Sequence, residues 1–172
     1  MNAKTDPHIR TEEAKDCEII YDLTKRAFAP MPFAAGDEQD LINSLRDNGA
    51  LSLSLVAEYE DQIIGHVAFS PAIAKDDSGP WYGLGPVSVA PEFQSQGVGS
   101  ALINQGLDML RKEGTAGCIL VGNVDYYKRF GFEQAPTSCP TNEPKDNYMI
   151  LPMAVSKTSS VIDFHPLFHD AG

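Results

Sequence analysis

Residues 83–107 read GLGPVSVAPEFQSQGVGSALINQGL. An extended run ends at Val89, a short turn follows, and QSQGVG opens a helix near Gly97. In that helix Val98, Ala101, Leu102, Gly106, Met109 and Leu110 keep the 3–4 spacing of one apolar face. Gly106 lowers helix propensity but lets the helix pack closely on a sheet. Consecutive N–H groups at a helix start, with glycines that admit close approach, form an anion nest. A pyrophosphate fits such a nest.

Three nucleotide loops compete for this pattern. A dinucleotide-binding fingerprint needs G-x-G-x-x-G, but Leu102 stands at the third glycine and no suitable acidic residue ends the next strand. A Walker loop needs G-K-[S/T], which is absent. What remains is Q-x-x-G-x-G after a V-x-P strand end, from Val89 to Gly99.

Upstream, a strand at His8–Arg10 precedes a helix capped by Asp16, with Ile19, Ile20, Leu23 and Ala27 on one face. AFAPMPFAAG breaks helical order, and a second amphipathic helix follows over Asp37–Arg46, with Leu41, Ile42 and Leu45 inward. LSLSLVAEYE and IIGHVAFSPAIA alternate as strands around an EDQ turn, and WYGLGPVSVA makes a third strand. Downstream, GCILV is short and wholly apolar, which predicts a buried central strand. DYYKRF makes a short helix stopped by Gly131, and YMILPMAV is the last strand. The aromatic tail SSVIDFHPLFHDAG is expected to pack back on the domain.

The chain has 172 residues, the size of one compact domain. No apolar run reaches the ~20 residues that span a bilayer, and MNAKTDPHIRTEE lacks the apolar stretch of a secretion signal. The cytoplasm is the expected location. Thirteen basic against twenty-four acidic residues leave a formal charge of -11, which disfavours nucleic acid and anionic membranes as partners. Backbone N–H groups could hold an anionic ligand without net positive charge. Cys17, Cys118 and Cys139 are scattered, with no CxxC pair and no zinc spacing, so reduced thiols and no metal are expected.

The string Val89-Ala90-Pro91-Glu92-Phe93-Gln94-Ser95-Gln96-Gly97-Val98-Gly99 resembles motif A of the GNAT acetyltransferases. IRTEEAKDCEIIYDLTKRAF is similar to that family's first strand and helix, and DYYKRFGFE to its motif B. GHVAFSP, GLGPVSV, YYKRFGF and the terminal FHPLF together resemble its YhbS-like branch, over nearly the whole chain. The pattern departs at Ser160, where that branch tends to carry glycine, and at Asn123, where aspartate or histidine is commoner. The resemblance implies a mixed α/β fold: a central twisted mixed sheet with splayed fourth and fifth strands, flanked by helices, as a single domain over residues 1–172.

It also implies a chemistry, transfer of the acetyl group of acetyl-CoA to a primary amine by direct attack on the thioester. Backbone groups of Val87, Ser88 and Val89 would meet the pantetheine arm, with the Val87 N–H toward the acetyl oxygen as an oxyanion donor. Gln94 and the amides of Ser95, Gln96, Gly97, Val98, Gly99 and Ser100 would hold the pyrophosphate. The hydroxyl of Tyr127, four residues before Gly131, would meet the sulfur as general acid. Tyr126 fits better as a packing anchor.

Glu38, Glu58 and His66 are polar groups on elements expected near the acceptor, and none is singled out as the base; water can serve. His66 in IIGHVAF reads first as a hydrogen-bonded core histidine. The acceptor, a small-molecule or peptide amine, would be met by PMPFAAGDEQ and APTSCPTNEPKDN. Asp37, Glu38 and Asp40 could attract a cationic amine or simply favour a helix N-terminus. A CoA-binding sensor without turnover is the alternative. A homodimer is expected from resemblance to many GNAT proteins, with the tail around Phe164, Pro166, Leu167 and Phe168 either packed or in the dimer contact.

Overall fold

In the computed structural model, which describes residues 5–155 and 158–170, the chain opens with β1 (His8–Thr11) and α1 (Cys17–Phe28). There follow α2 (Glu38–Asp47), β2 (Leu53–Tyr59), β3 (Gln62–Ala74), β4 (Trp81–Val89) and α3 (Val98–Lys112). The remainder is β5 (Gly117–Val121), α4 (Val124–Tyr127), β6 (Glu133–Gln134), β7 (Tyr148–Pro152), β8 (Ile162–Asp163) and α5 (Leu167–Asp170). Residues 171–172, the end of the tail expected to pack back, lie outside the described residues.

Hydrogen bonding orders the strands β1-β2-β3-β4-β5-β7-β6, with β8 paired to β3. The β4–β5 pair is parallel, while β1–β2, β2–β3, β3–β8, β5–β7 and β6–β7 are antiparallel, so the sheet is mixed as expected. The β4–β5 ladder runs only from Trp81–Gly117 to Gly83–Ile119, although β4 goes on to Val89 and β5 to Val121. This short ladder is the splay of the fourth and fifth strands.

Two compact units share the chain: residues up to Phe69 with Gly85–Leu107 and those from Pro166, and Ser70–Leu84 with Asp108–His165. In the first, Ile20 of α1 and Ile42 of α2 cluster with Val56 of β2, against Leu51 and Ile63. Each such fully buried aliphatic side chain contributes about 1.5–3 kcal/mol. The other face of β3 meets α3. A Cβ on Gly106 would lie 2.4 Å from the Phe69 ring, so the glycine makes the close approach possible. Leu167 and Phe168 of α5 pack against Leu41, Leu45 and Ala50, so that part of the tail is a packed terminus.

In the second unit Trp81, Cys118, Ile119, Leu120, Phe132, Tyr148, Met149 and Phe164 are buried. The Tyr148 hydroxyl donates to the Ile162 carbonyl at 2.8 Å, and its ring meets Phe164 edge-on. GCILV is the buried strand expected, with only Val121 exposed, and Gly131 ends the DYYKRF turn in the left-handed region at φ 98°.

Three expectations need correction. Ile19 is 47% exposed: the buried stripe of α1 is Ile20, Leu23, Thr24 and Ala27, and one residue earlier is a 100° step off it. Asp16 makes no side-chain cap to α1. Its carboxylate instead pairs with Arg10 at 2.7 Å and accepts the Glu13 N–H. YMILPMAV is not the last strand, because Met153 and Val155 leave the ladder to donate to the Ala116 carbonyl, and β8 follows.

Candidate functional site

β4 ends with Val87 and Val89 half-buried and Ser88 buried, its hydroxyl without a partner among the described residues. The Ala90 N–H donates to the Ile64 carbonyl at 2.8 Å, and Pro91–Phe93 forms a single 3-10 turn. Beyond it the backbone is left-handed at Ser95 (φ 63°) and Gly97 (φ 89°). Glycine takes that conformation freely; a serine is held in it at about 1–2 kcal/mol. Gln94 before them is extended, and a turn of this kind brings successive N–H groups toward one side, where an anion can sit.

Helix α3 starts at Val98, and Ala101 N–H donates to the Gly97 carbonyl at 3.0 Å. The amides of Val98, Gly99 and Ser100 belong to the first turn, which has no intrahelical acceptor for them. The loop is braced by its own side chains: Gln94 Nε2 donates to the Val89 carbonyl (3.1 Å) and Gln96 Nε2 to the Glu92 carbonyl (3.3 Å). Thr5 hydrogen-bonds the Gln96 amide oxygen. No acidic side chain lies between Gln94 and Ser100. This run fits a pyrophosphate, which needs donors and no competing carboxylate.

Tyr127 belongs to the other unit. Its ring is half-buried between Tyr126, Phe130 and Phe132, at centroid distances of 5.0, 6.1 and 6.1 Å. Burial pushes its pKa from 10.0 to about 12, and Tyr126 and Cys118 add to the rise. Tyr126 is the packing residue expected: Arg129 stacks 4.5 Å over its ring and donates to its carbonyl.

Two residues that position Tyr127 were not given that role in the sequence, where Asn123 stood out only as a departure from the family pattern. Asn123 caps α4, accepting the Tyr126 N–H at 2.9 Å; an Asn two residues past an apolar strand and just before the short helix was the available signal. Gly122 leaves room for the ring itself, since a Cβ there would lie 2.6 Å from Tyr127 Cε2.

The three groups weighed as bases are each engaged. Glu58 accepts from Arg10 at 2.7 and 3.0 Å, and that guanidinium lowers its pKa. Glu38 accepts the N–H groups of Ala35 and Gly36, so it serves the α2 N-terminus. His66 is fully buried, with Nε2 2.7 Å from the Ser54 hydroxyl; burial pulls its pKa from 6.5 to about 4. Ser54 in turn bonds Glu12, which holds Arg46 at 2.9 and 3.0 Å. His66 is thus a core histidine.

Of the two stretches expected to meet the acceptor, the first exposes Phe33 at 81%, and the second buries Ser138 and Cys139. A cavity of about 420 Å³ lies between α1 and α2, lined by Cys17, Glu18, Tyr21, Asp22 and Asn43, none of which was expected at the site.

A mixed sheet with a short parallel β4–β5 ladder and a glycine nest after β4 describes one class of protein, and the chain belongs to it: the acetyltransferase (GNAT) family, whose sequence profile matches residues 17–132. The chain is similar to the uncharacterized N-acetyltransferase YhbS of Escherichia coli (strain K12), 38% identical over 128 residues that span 74% of each chain. Its fold matches the crystal structure of a GNAT family acetyltransferase from Brucella melitensis in complex with acetyl-CoA, with a TM-score of 0.84 and 37% identity over 95% of this chain and 99% of that one. It also matches Escherichia coli YhbS in complex with CoA, with a TM-score of 0.86 and 30% identity over 98% and 95% of the two chains.

Proposed function

We propose that the chain, acting as a single catalytic domain in the cytoplasm, transfers the acetyl group of acetyl-CoA to a primary amine of a small-molecule or peptide acceptor by direct attack on the thioester. The observation that carries this reading is the loop with left-handed Ser95 and Gly97 just before α3, in a chain 37% identical to a protein crystallised with acetyl-CoA. When bound, acetyl-CoA supplies the activated acyl group. The amides from Ser95 to Ser100, with Gln94 bracing the loop, hold the pyrophosphate. Backbone groups of Val87, Ser88 and Val89 orient the arm, and the Val87 N–H is the donor for the acetyl oxygen.

Tyr127 keeps a proton for the leaving sulfur. With its pKa near 12 the phenol is neutral at every working pH. An ordinary alkyl thiol lies near ~8.5, so complete transfer from the phenol is uphill by roughly 3 units. Its gain therefore comes mainly from hydrogen bonding to the thiolate. That places it at the low end of the ~10²–10⁴ range of general acid catalysis.

With Glu38, Glu58 and His66 all engaged, the ammonium proton leaves to water. The same engagement favours a second reading, in which the domain binds CoA as a sensor without turnover. Mass spectrometry of an amine panel incubated with acetyl-CoA separates the two. Acetylated product from one amine is expected, with kcat about 10²-fold lower in Tyr127→Phe and little changed in Tyr126→Phe. The loss should shrink with a thioester of a more acidic thiol. No product from any amine, with acetyl-CoA bound, would leave the sensor.

A further inference from the structure

The loop that would hold the phosphates of coenzyme A contains no Lys or Arg from Pro91 to Ser100, and the chain carries a formal charge of -11. It also begins with a carboxylate, Glu92, which repels the phosphates from a position two residues before Gln94. That carboxylate has a partner. Arg26, in the last turn of α1, sets Nη1 3.2 Å from Glu92 Oε1 and 3.5 Å from Oε2. Among the described residues it is the one basic side chain that forms an ion pair with the 91–100 stretch.

The pair is poorly committed. The two side chains are 56% and 55% exposed, and exposed ion pairs of this kind add little to stability. Only one nitrogen of the guanidinium reaches the carboxylate, which leaves its other donors unused in the pair. A phosphate offers the planar fork a bidentate partner, and the 3′-phosphate monoester, a dianion, carries more charge than a carboxylate. Arg26, Glu92 and the nest all lie in the same compact unit.

We propose that Arg26 is a phosphate ligand held in reserve: in the free protein it neutralises Glu92 at the mouth of the loop, and on binding it turns to a phosphate of coenzyme A. This rests on reading the loop as the coenzyme A cradle. It supplies the positive charge that backbone amides lack, and it makes affinity sensitive to one side chain on α1. High salt should weaken binding through the same contact, because the contact is exposed.

Isothermal titration of the purified full chain with coenzyme A, dephospho-coenzyme A and pantetheine tests it. Arg26→Ala should weaken coenzyme A by about 10-fold, the scale of a charge-assisted hydrogen bond to a partly exposed group, and should leave pantetheine unchanged. The same loss with dephospho-coenzyme A assigns the contact to the pyrophosphate; a loss with coenzyme A alone assigns it to the 3′-phosphate. Lys15→Ala, which changes net charge equally at an exposed site paired with Glu13, is the control and should leave affinity within about twofold. The ligand-free melting temperature should stay near wild type in both variants. Unchanged coenzyme A affinity in Arg26→Ala, or a loss matched by Lys15→Ala or by pantetheine, would overturn the proposal. Failure of the wild type to bind coenzyme A would instead overturn the reading of the loop.

Discussion

Tyr127 keeps its place because Gly122 has no side chain. The ring carbon Cε2 sits 2.6 Å and Cδ2 3.1 Å from where a Cβ would stand, well inside ordinary contact. Gly122→Ala must therefore displace the ring, while the Asn123 cap and the β5–β7 ladder stay intact. If the phenol acts at the sulfur, a shift of this size should lower kcat by roughly 10–10²-fold, with acetyl-CoA affinity nearly unchanged. Steady-state kinetics with acetyl-CoA and an accepted amine decide it, and an unaltered kcat would detach the ring's position from turnover. The YYKRFGF string made Tyr127 visible as a candidate in the sequence. Gly122 was not, because room for a ring is a property of three-dimensional neighbours, and Asn123 showed a cap signal but nothing that tied it to Tyr127.

At the level of elements, a polar chain runs through the unit that carries α2: Arg46, Glu12, Ser54 and His66, linking α2 to the residue after β1 and to β2 and β3. Ser54 has one proton. Given to the ionised Glu12, it leaves Ser54 to accept from His66, which fixes the Nε2–H tautomer. Burial keeps the folded imidazole neutral, with a pKa near 4 against an ordinary 6.5. The unfolded chain takes up this proton as pH falls through 6.5 and the folded chain resists until about 4, so stability is complete above 6.5 and lost between 6.5 and 4. The loss is bounded at ~3 kcal/mol.

Glu12 has its pKa lowered by Arg46 and Ser54 against the opposing cost of burial, so its contribution holds above about 4.5 and fades only below. Thermal melts of wild type should fall between pH 6.5 and 4.5, and His66→Gln should flatten that slope whatever its stability at pH 7. An equal slope in the variant would place the acid sensitivity elsewhere. Periodicity predicted β2, β3, α2 and α3 because their apolar faces repeat over many residues. It missed β6 and β8, two residues each, which exist through pairing with β7 and β3 and carry no pattern of their own.

For the whole molecule the central question is how a chain of charge -11 holds an anionic cosubstrate. The charges that would hold it are local: backbone amides after β4, with Arg26 paired to Glu92 beside them, would act over a few ångströms, where diffuse surface charge is screened beyond a Debye length of about 8 Å. The glycine loop was legible in the sequence because its spacing is part of the backbone geometry itself. The acceptor was not, because PMPFAAGDEQ and APTSCPTNEPKDN fold by turns whose exposed residues follow no repeating rule. The measurement that bears most directly on this account is the melting temperature of the protein with acetyl-CoA, NADH and ATP at equal millimolar concentration. Acetyl-CoA should raise it by mass action, NADH and ATP should raise it less, and Gly97→Val, which forces a branched residue into the left-handed position, should abolish the acetyl-CoA shift. No shift with acetyl-CoA, or the same shift in Gly97→Val, would contradict it.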